Sequence, residues 1–132
     1  MKKSRFSNFE TETIDLSQNK LKLNYFDGII LDVPCSGSGT WKRSPESAYF
    51  FDDATMKHYT ALQKKIIDNV LPSLKIGAQL IYSTCSVFQS ENEAQIKYIE
   101  ESHQLKLKEF SYFNNYENGS DWVFGARFVK EK

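Results

Sequence analysis

The sequence predicts an α/β domain: an open sheet with a parallel strand pair joined by a helical crossover, followed by a C-terminal antiparallel hairpin. Three observations lead there. The nearly continuous apolar runs at Ile29 to Val33 and Leu80 to Tyr82 have the form of strands buried on both faces of a parallel sheet. Between them lies enough chain for a strand–helix–strand unit, with apolar residues recurring at three and four. Beyond them, two strand-like stretches flank a polar run, the pattern of a hairpin. With 132 residues, 40% hydrophobic and 26% charged, the chain is sized for one globular domain and is too apolar for disorder.

Residues 1–25 form a polar N-terminal segment, with Lys2, Lys3, Arg5, Lys20 and Lys22 among Ser, Asn, Glu and Thr, and only Ile14 to Leu16 suggesting a short strand. The main unit is 26–132. Its first strand, Phe26 to Val33, stops at Pro34, because proline has no N–H to continue a ladder. Ser36-Gly37-Ser38-Gly39-Thr40 is a loop and runs into the basic, aromatic Trp41-Lys42-Arg43-Ser44-Pro45. Asp52 or Asp53 caps a helix whose inward residues are Met56, Tyr59, Leu62, Ile66, Ile67 and Val70. Pro72 and Gly77 bracket its exit. Gln79 to Thr84 is the second strand, parallel to the first. Ser90-Glu91-Asn92-Glu93 reads as a capping box opening a second helix through about His103, with Ile96, Tyr98 and Ile99 inward. Leu105 to Tyr112 and Trp122 to Val129 make the hairpin around Asn114 to Ser120, with Phe110, Tyr112, Phe113, Tyr116 and Trp122 as its core.

Composition narrows the function classes. Lys plus Arg and Asp plus Glu both total 17, so nucleic-acid binding requires a local basic patch rather than a net charge. The apolar runs fall far short of the roughly 18 residues of a membrane span, and residues 1–20 lack a signal-peptide core. No membrane partner is expected. The two cysteines, in Pro34-Cys35-Ser36-Gly37 and Ser83-Thr84-Cys85-Ser86, read as reactive thiols rather than a secreted disulfide framework, which points to the cytoplasm.

In an open α/β sheet, ligands gather outside the carboxyl ends of the strands. The first strand ends in Asp32-Val33-Pro34-Cys35 and the second in Ser83-Thr84-Cys85, so both thiols and the Asp32 carboxylate converge on one edge. Familiar alternatives fail on spacing. A phosphate loop needs Lys and then Ser or Thr after its last Gly, yet Gly39 is followed by Thr40-Trp41. A phosphatase-type thiol needs an Arg six positions on, where Cys35 meets Trp41 and Cys85 meets Glu91. A thiol hydrolase needs a poised His, but His58 and His103 fall on predicted helices. No metal is expected, because two solitary thiols lack paired ligand spacing.

At these residues the chain resembles the RNA cytosine-5 methyltransferases of the Sun/Fmu type, whose hallmarks are a strand ending in Asp-Ala-Pro-Cys-Ser-Gly and another ending in Ser-Thr-Cys-Ser. Here they read Asp32-Val33-Pro34-Cys35-Ser36-Gly37 and Ser83-Thr84-Cys85-Ser86, with Val33 for the usual Ala. The likeness extends to Arg43-Ser44-Pro45, Gln63, Leu74-Lys75-Ile76-Gly77, Glu91-Asn92-Glu93 and Phe124-Gly125-Ala126-Arg127-Phe128.

The resemblance implies the C-terminal half of a Rossmann-like, S-adenosylmethionine-dependent methyltransferase fold, acting on rRNA or tRNA. It implies Cys85 as the nucleophile, Cys35 as the thiol assisting release, and Asp32 as the group that holds the cytosine edge. Asp32, Pro34 and Asp15 fall on the cofactor side, Asp15 as a match to an adenine-contacting Asp. Lys42, Arg43 and Trp41 are RNA contacts. The family's glycine-rich cofactor turn has no counterpart, since residues 1–25 contain no glycine. The expectation is therefore a chain inactive alone, with a second copy or a separate N-terminal half covering the exposed side of the first strand, or residues 1–25 folding over it instead. A non-catalytic RNA-binding remnant and a thiol redox protein are the other classes left open.

Overall fold

The structure, a computed structural model, describes residues 7–114 and 121–132. It bears out the predicted class: a mixed four-stranded sheet in the order β1 (Phe26–Asp32), β2 (Leu74–Thr84), β4 (Val123–Lys130), β3 (Leu105–Phe113). A short helix α1 (Glu46–Tyr49) and the longer α2 (Asp53–Val70) cross from β1 to β2, and α3 (Glu93–His103) leads into β3. β1 and β2 run parallel with Leu31 opposite Tyr82 and Asp32 opposite Ser83. That register ends the two strands level, so Cys35 and Cys85 leave the sheet at the same edge. β4 is antiparallel to both β2 and β3, as a hairpin requires.

One face of the sheet is covered. Leu31, Leu80, Tyr82, Phe124, Ala126 and Phe128 alternate along their strands and pack with Ile66, Ile67 and Val70 of α2 and Ile96 and Ile99 of α3 in one buried cluster. The period-two and period-3.6 patterns thus meet on a shared interface. α2 starts where the sequence predicts, because the Asp52 side chain accepts from Thr55 N at 2.8 Å and satisfies a free amide of the first turn.

Four expectations are corrected. β1 is not buried on both faces: it is the edge strand, and the helices cover only one side, so Leu31 is 6% exposed while its neighbour Ile30 is 76% exposed. β2 begins at Leu74 rather than Gln79, because the register shifts between Phe26 and Gly28 around a bulge where Gly77 adopts φ +83°, a conformation glycine tolerates. Ile14 to Leu16 form no strand. Asp15 instead closes a turn, its Oδ1 accepting from Ser17 N and its carbonyl from Gln18 and Asn19 N, a local bonding option that competes with a ladder. This segment is tied to the end of α2 and the turn after it by Asn69 Nδ2 donating to the Leu16 carbonyl, and Tyr25 N to that of Ser73. Finally, no capping box forms: α3 starts at Glu93, Asn92 caps it without a side-chain bond, and Ser90 Oγ donates to Met56 Sδ.

In the hairpin, Tyr112 packs on Phe124 and Trp122 as expected of core, whereas Phe110 and Phe113 are corrected: they are 48% and 58% exposed, because with Ile81 they line a cavity walled by the strands. The joining run from 115 to 120, with Tyr116 and Gly119, lies outside the described residues, as do Lys2, Lys3 and Arg5.

Candidate active site

Cys35 and Cys85 meet at the edge where β1 and β2 end, their sulfurs 3.3 Å apart. Both are free thiols and half-buried. Burial, and after it the contact with Cys85, push the Cys35 thiol up to about 12, so Cys35 keeps its proton at neutral pH. Asp32 is exposed and one residue before the strand's last ladder bond, Val33 N to the Ser83 carbonyl.

The loop after Cys35 is folded onto the loop after Cys85. Gly37 takes φ +70°, and Thr40 N and Oγ1 both donate to its carbonyl. Gly39 N donates to the Cys85 carbonyl at 2.9 Å, and Trp122 N donates to the Gly39 carbonyl. A Cβ on Gly39 would stand 2.4 Å from the Trp122 carbonyl oxygen and 2.9 Å from that of Cys85, both backbone atoms, so the close approach requires glycine. Ser38 Oγ lies 3.2 Å from Ser86 Oγ and accepts from Val87 N.

Beneath the thiols lies a buried polar layer. The fully buried Glu91 accepts from Ser36 N and Ser36 Oγ at 2.7 Å each, from Ser86 Oγ, and from Gln63 Nε2 at 3.2 Å. Gln63, also fully buried, donates to the Pro34 carbonyl and accepts from Gln95 Nε2. Asn92 accepts from Thr84 Oγ1 and donates to the Ser86 carbonyl.

Beside this layer, a cleft of about 310 Å³ is lined by Asp15, Asp32 and Pro34 with Leu31, Leu62 and Ile66. The three residues assigned to the cofactor side by resemblance thus face one cavity. The three assigned to RNA have different surroundings: Lys42 is exposed, Arg43 is paired with Asp121 through two bonds of 2.8 and 2.7 Å, and Trp41 packs against Phe51 and Phe88. His58 is exposed against Tyr59, and His103 pairs with Asp68.

The model of the 16S rRNA methyltransferase RsmB/F family matches residues 3–125. The chain belongs to this family. Among RsmB/F relatives, ribosomal RNA small subunit methyltransferase B of Pectobacterium carotovorum is 41% identical over 71 residues, covering 54% of this chain and 17% of the relative. The solved structure of a methyltransferase homologue from Pyrococcus horikoshii superposes with TM-score 0.66 at 25% identity, covering 80% of this chain and 39% of that one. The NSun6 structure from Pyrococcus horikoshii with SFG superposes at TM-score 0.67 and 24% identity, covering 78% of this chain and 29% of that one, and shares the fold. This RsmB/F chain thus spans less than a third of the curated relative's length.

Gln63 and Glu91 stand among the Sun/Fmu-like positions of the sequence, with no catalytic or binding role assigned to them there. A signal for Gln63 was present: it is a polar residue on the apolar stripe of α2, between Tyr59 and Ile66, which a purely packing helix would fill with an aliphatic side chain. For Glu91 the signal was misread as helix capping.

Proposed function

We propose that this chain is the C-terminal catalytic portion of an S-adenosylmethionine-dependent RNA (cytosine-5) methyltransferase that works through a Cys85 adduct and is inactive alone. The RsmB/F family comprises rRNA methyltransferases, and what carries the finer reading is the contact of two thiols at 3.3 Å at the edge where the parallel strands end. Carbon 5 of cytosine is a poor nucleophile. Addition of the Cys85 thiolate to carbon 6 moves the ring's electron pair toward carbon 5, and Asp32, bonded to N3 and the amino group, favours that addition. Carbon 5 can then accept an electrophilic methyl group, the chemistry that S-adenosylmethionine supplies when bound.

The closing step is elimination: solvent water takes the carbon-5 proton, the electron pair of that C–H bond re-forms the double bond between carbons 5 and 6, the bond from carbon 6 to Cys85 breaks, and its electron pair returns to sulfur. Cys35, held as S–H, donates to that departing sulfur.

The cleft beside Asp15, Asp32 and Pro34 fits the adenine end of the donor, although the Asp15 carboxylate already holds Ser17 N and Oγ. The donor's methionine end has no matching glycine turn in residues 1–25. The missing contacts, the free outer edge of β1 and the bare sheet face all support pairing with a separate N-terminal half, or with a second copy when the chain is alone. Free thiols fit the cytoplasm. Lys42, and Arg43 once released from Asp121, are the RNA contacts. The rival reading is a non-catalytic RNA-binding remnant of the family.

Covalent trapping decides between them. A chimera carrying the upstream part of the Pectobacterium relative ahead of residue 26 is expected to form a stable adduct with RNA containing 5-fluorocytidine and S-adenosylmethionine. Cys85→Ala should abolish it, and the isolated chain should form none. Methylation that survives Cys85→Ala would overturn the assignment, and a chimera that binds RNA without adduct or turnover would favour the remnant.

A further inference from the structure

We propose that Glu91 is the positioning residue that sets the spacing of the two thiols. Cys35 and Cys85 lie on separate loops, fifty residues apart in sequence, and their sulfurs meet only if both loops are held in one register. Ser36 directly follows Cys35 and Ser86 directly follows Cys85. The Glu91 carboxyl group bonds both: one oxygen accepts from Ser36 N, and the other takes the hydroxyls of Ser36 and Ser86. Gln63 extends the hold to the other side of Cys35, donating from one nitrogen to Glu91 and to the Pro34 carbonyl.

The carboxyl group is itself anchored. The buried Tyr82 hydroxyl donates to the Glu91 carbonyl at 2.8 Å, so the backbone of Glu91 is pinned to the central strand β2. A fully buried carboxyl group is costly unless its oxygens are satisfied, and here four donors satisfy them. Nothing in packing requires a charge-bearing side chain at that point. The arrangement makes sense if its product is the geometry of the loops. The other ties between these loops are a long direct bond from Ser36 Oγ to Ser86 Oγ at 3.4 Å and the contacts at Gly39 and Ser38 further along the chain, whereas Glu91 holds the residue next to each sulfur through a backbone amide and both hydroxyls.

The consequence for catalysis rests on the two-thiol reading above, but the spacing itself can be measured with no RNA and no methyl donor, so failure of one is distinguishable from failure of the other. The probe is diamide. Its azo group takes up two hydrogens as the Cys35 and Cys85 thiols lose them and form one S–S bond, and the rate reports how well the sulfurs are juxtaposed. In the folded chain Glu91→Ala is expected to slow this closure by about tenfold or more, since displacements of an ångström have effects of that size on reactions between held groups. Glu91→Gln should stay within about threefold of wild type, because the amide oxygen can still accept from Ser36 N while its nitrogen donates to the two hydroxyls, which can rotate to accept.

Thermal melting separates stability from positioning. If Glu91→Ala does not fold, Ser36→Ala and Ser86→Ala each remove one of the two hydroxyls bonded to Glu91, together with that hydroxyl's other bonds, and each should slow closure by about threefold or more, since even one ordinary hydrogen bond is worth that much. Folded variants that close at the wild-type rate, or a Glu91→Gln protein that closes no faster than Glu91→Ala, would overturn the proposal.

Discussion

The two faces of the sheet differ in a way their sequences do not announce. Neighbouring residues on the same strands, Leu31 and Ile30, or Leu80 and Ile81, are chemically alike, yet the first of each pair is 6% or less exposed and the second 76% or 40%. The covered face carries α2, α3 and the buried cluster. The bare face carries Ile30, Ile81 and Arg127 in one row across β1, β2 and β4, and a shallow cavity of about 410 Å³ lined by Ile81, Phe113 and Arg127 among others. The difference teaches that apolar content fixes which residues can be buried, while the placement of helices decides which are. It also locates the chemistry, because the thiols stand where the covered layer ends and the polar network of Glu91 and Gln63 begins.

The largest test of this contrast is on the covered side. Phe128 is fully buried against the helix layer, and Phe128→Ala should cost about 3–5 kcal/mol in urea unfolding, from lost transfer energy and the cavity left behind. A loss below about 1 kcal/mol would mean that this face is not the core.

An intermediate effect is expected at the boundary. The folded state raises the Cys35 thiol to about 12, so between the ordinary thiol value and that point the unfolded chain has released a proton that the folded chain retains. The contribution of Cys35 is complete below about pH 8.5 and is lost as pH rises toward 12. The stability of the wild-type chain should therefore fall more steeply from about pH 8 to about pH 10.5 than that of Cys35→Ala. Parallel slopes would show that burial does not reach this thiol.

The smallest stability effect belongs to the bare face. Ile30→Lys should change unfolding by no more than about 0.5 kcal/mol, since the side chain is 76% exposed. The same substitution should weaken self-association, read by light scattering, because a charge on a free edge strand opposes pairing. An Ile30→Lys chain as destabilised as Phe128→Ala would erase the distinction between the faces.

Much of this was legible in the residues. The two strand-terminal cysteines, the crossover between them and the Asp52 cap depend on patterns that act within a few residues, and they appear as read. Ile14 to Leu16 and the capping box failed because polar side chains there have other partners: Asp15 bonds its own turn, Ser90 donates to Met56, and Glu93 accepts from Tyr112. The surroundings of the proposed RNA contacts were not legible, because Trp41 packs on Phe51 and Phe88 and Arg43 pairs with Asp121, contacts set by the fold.

By itself the sequence determined the α/β class, the parallel pair and the edge at which both thiols emerge, because periodicity and strand ends are local properties of the chain. Only the tertiary structure decided that the sulfurs stand 3.3 Å apart, that Cys35 keeps its proton, and that a buried carboxyl group ties their loops. Those outcomes depend on distances between segments fifty or more residues apart and on the water excluded between them, quantities that no local pattern encodes.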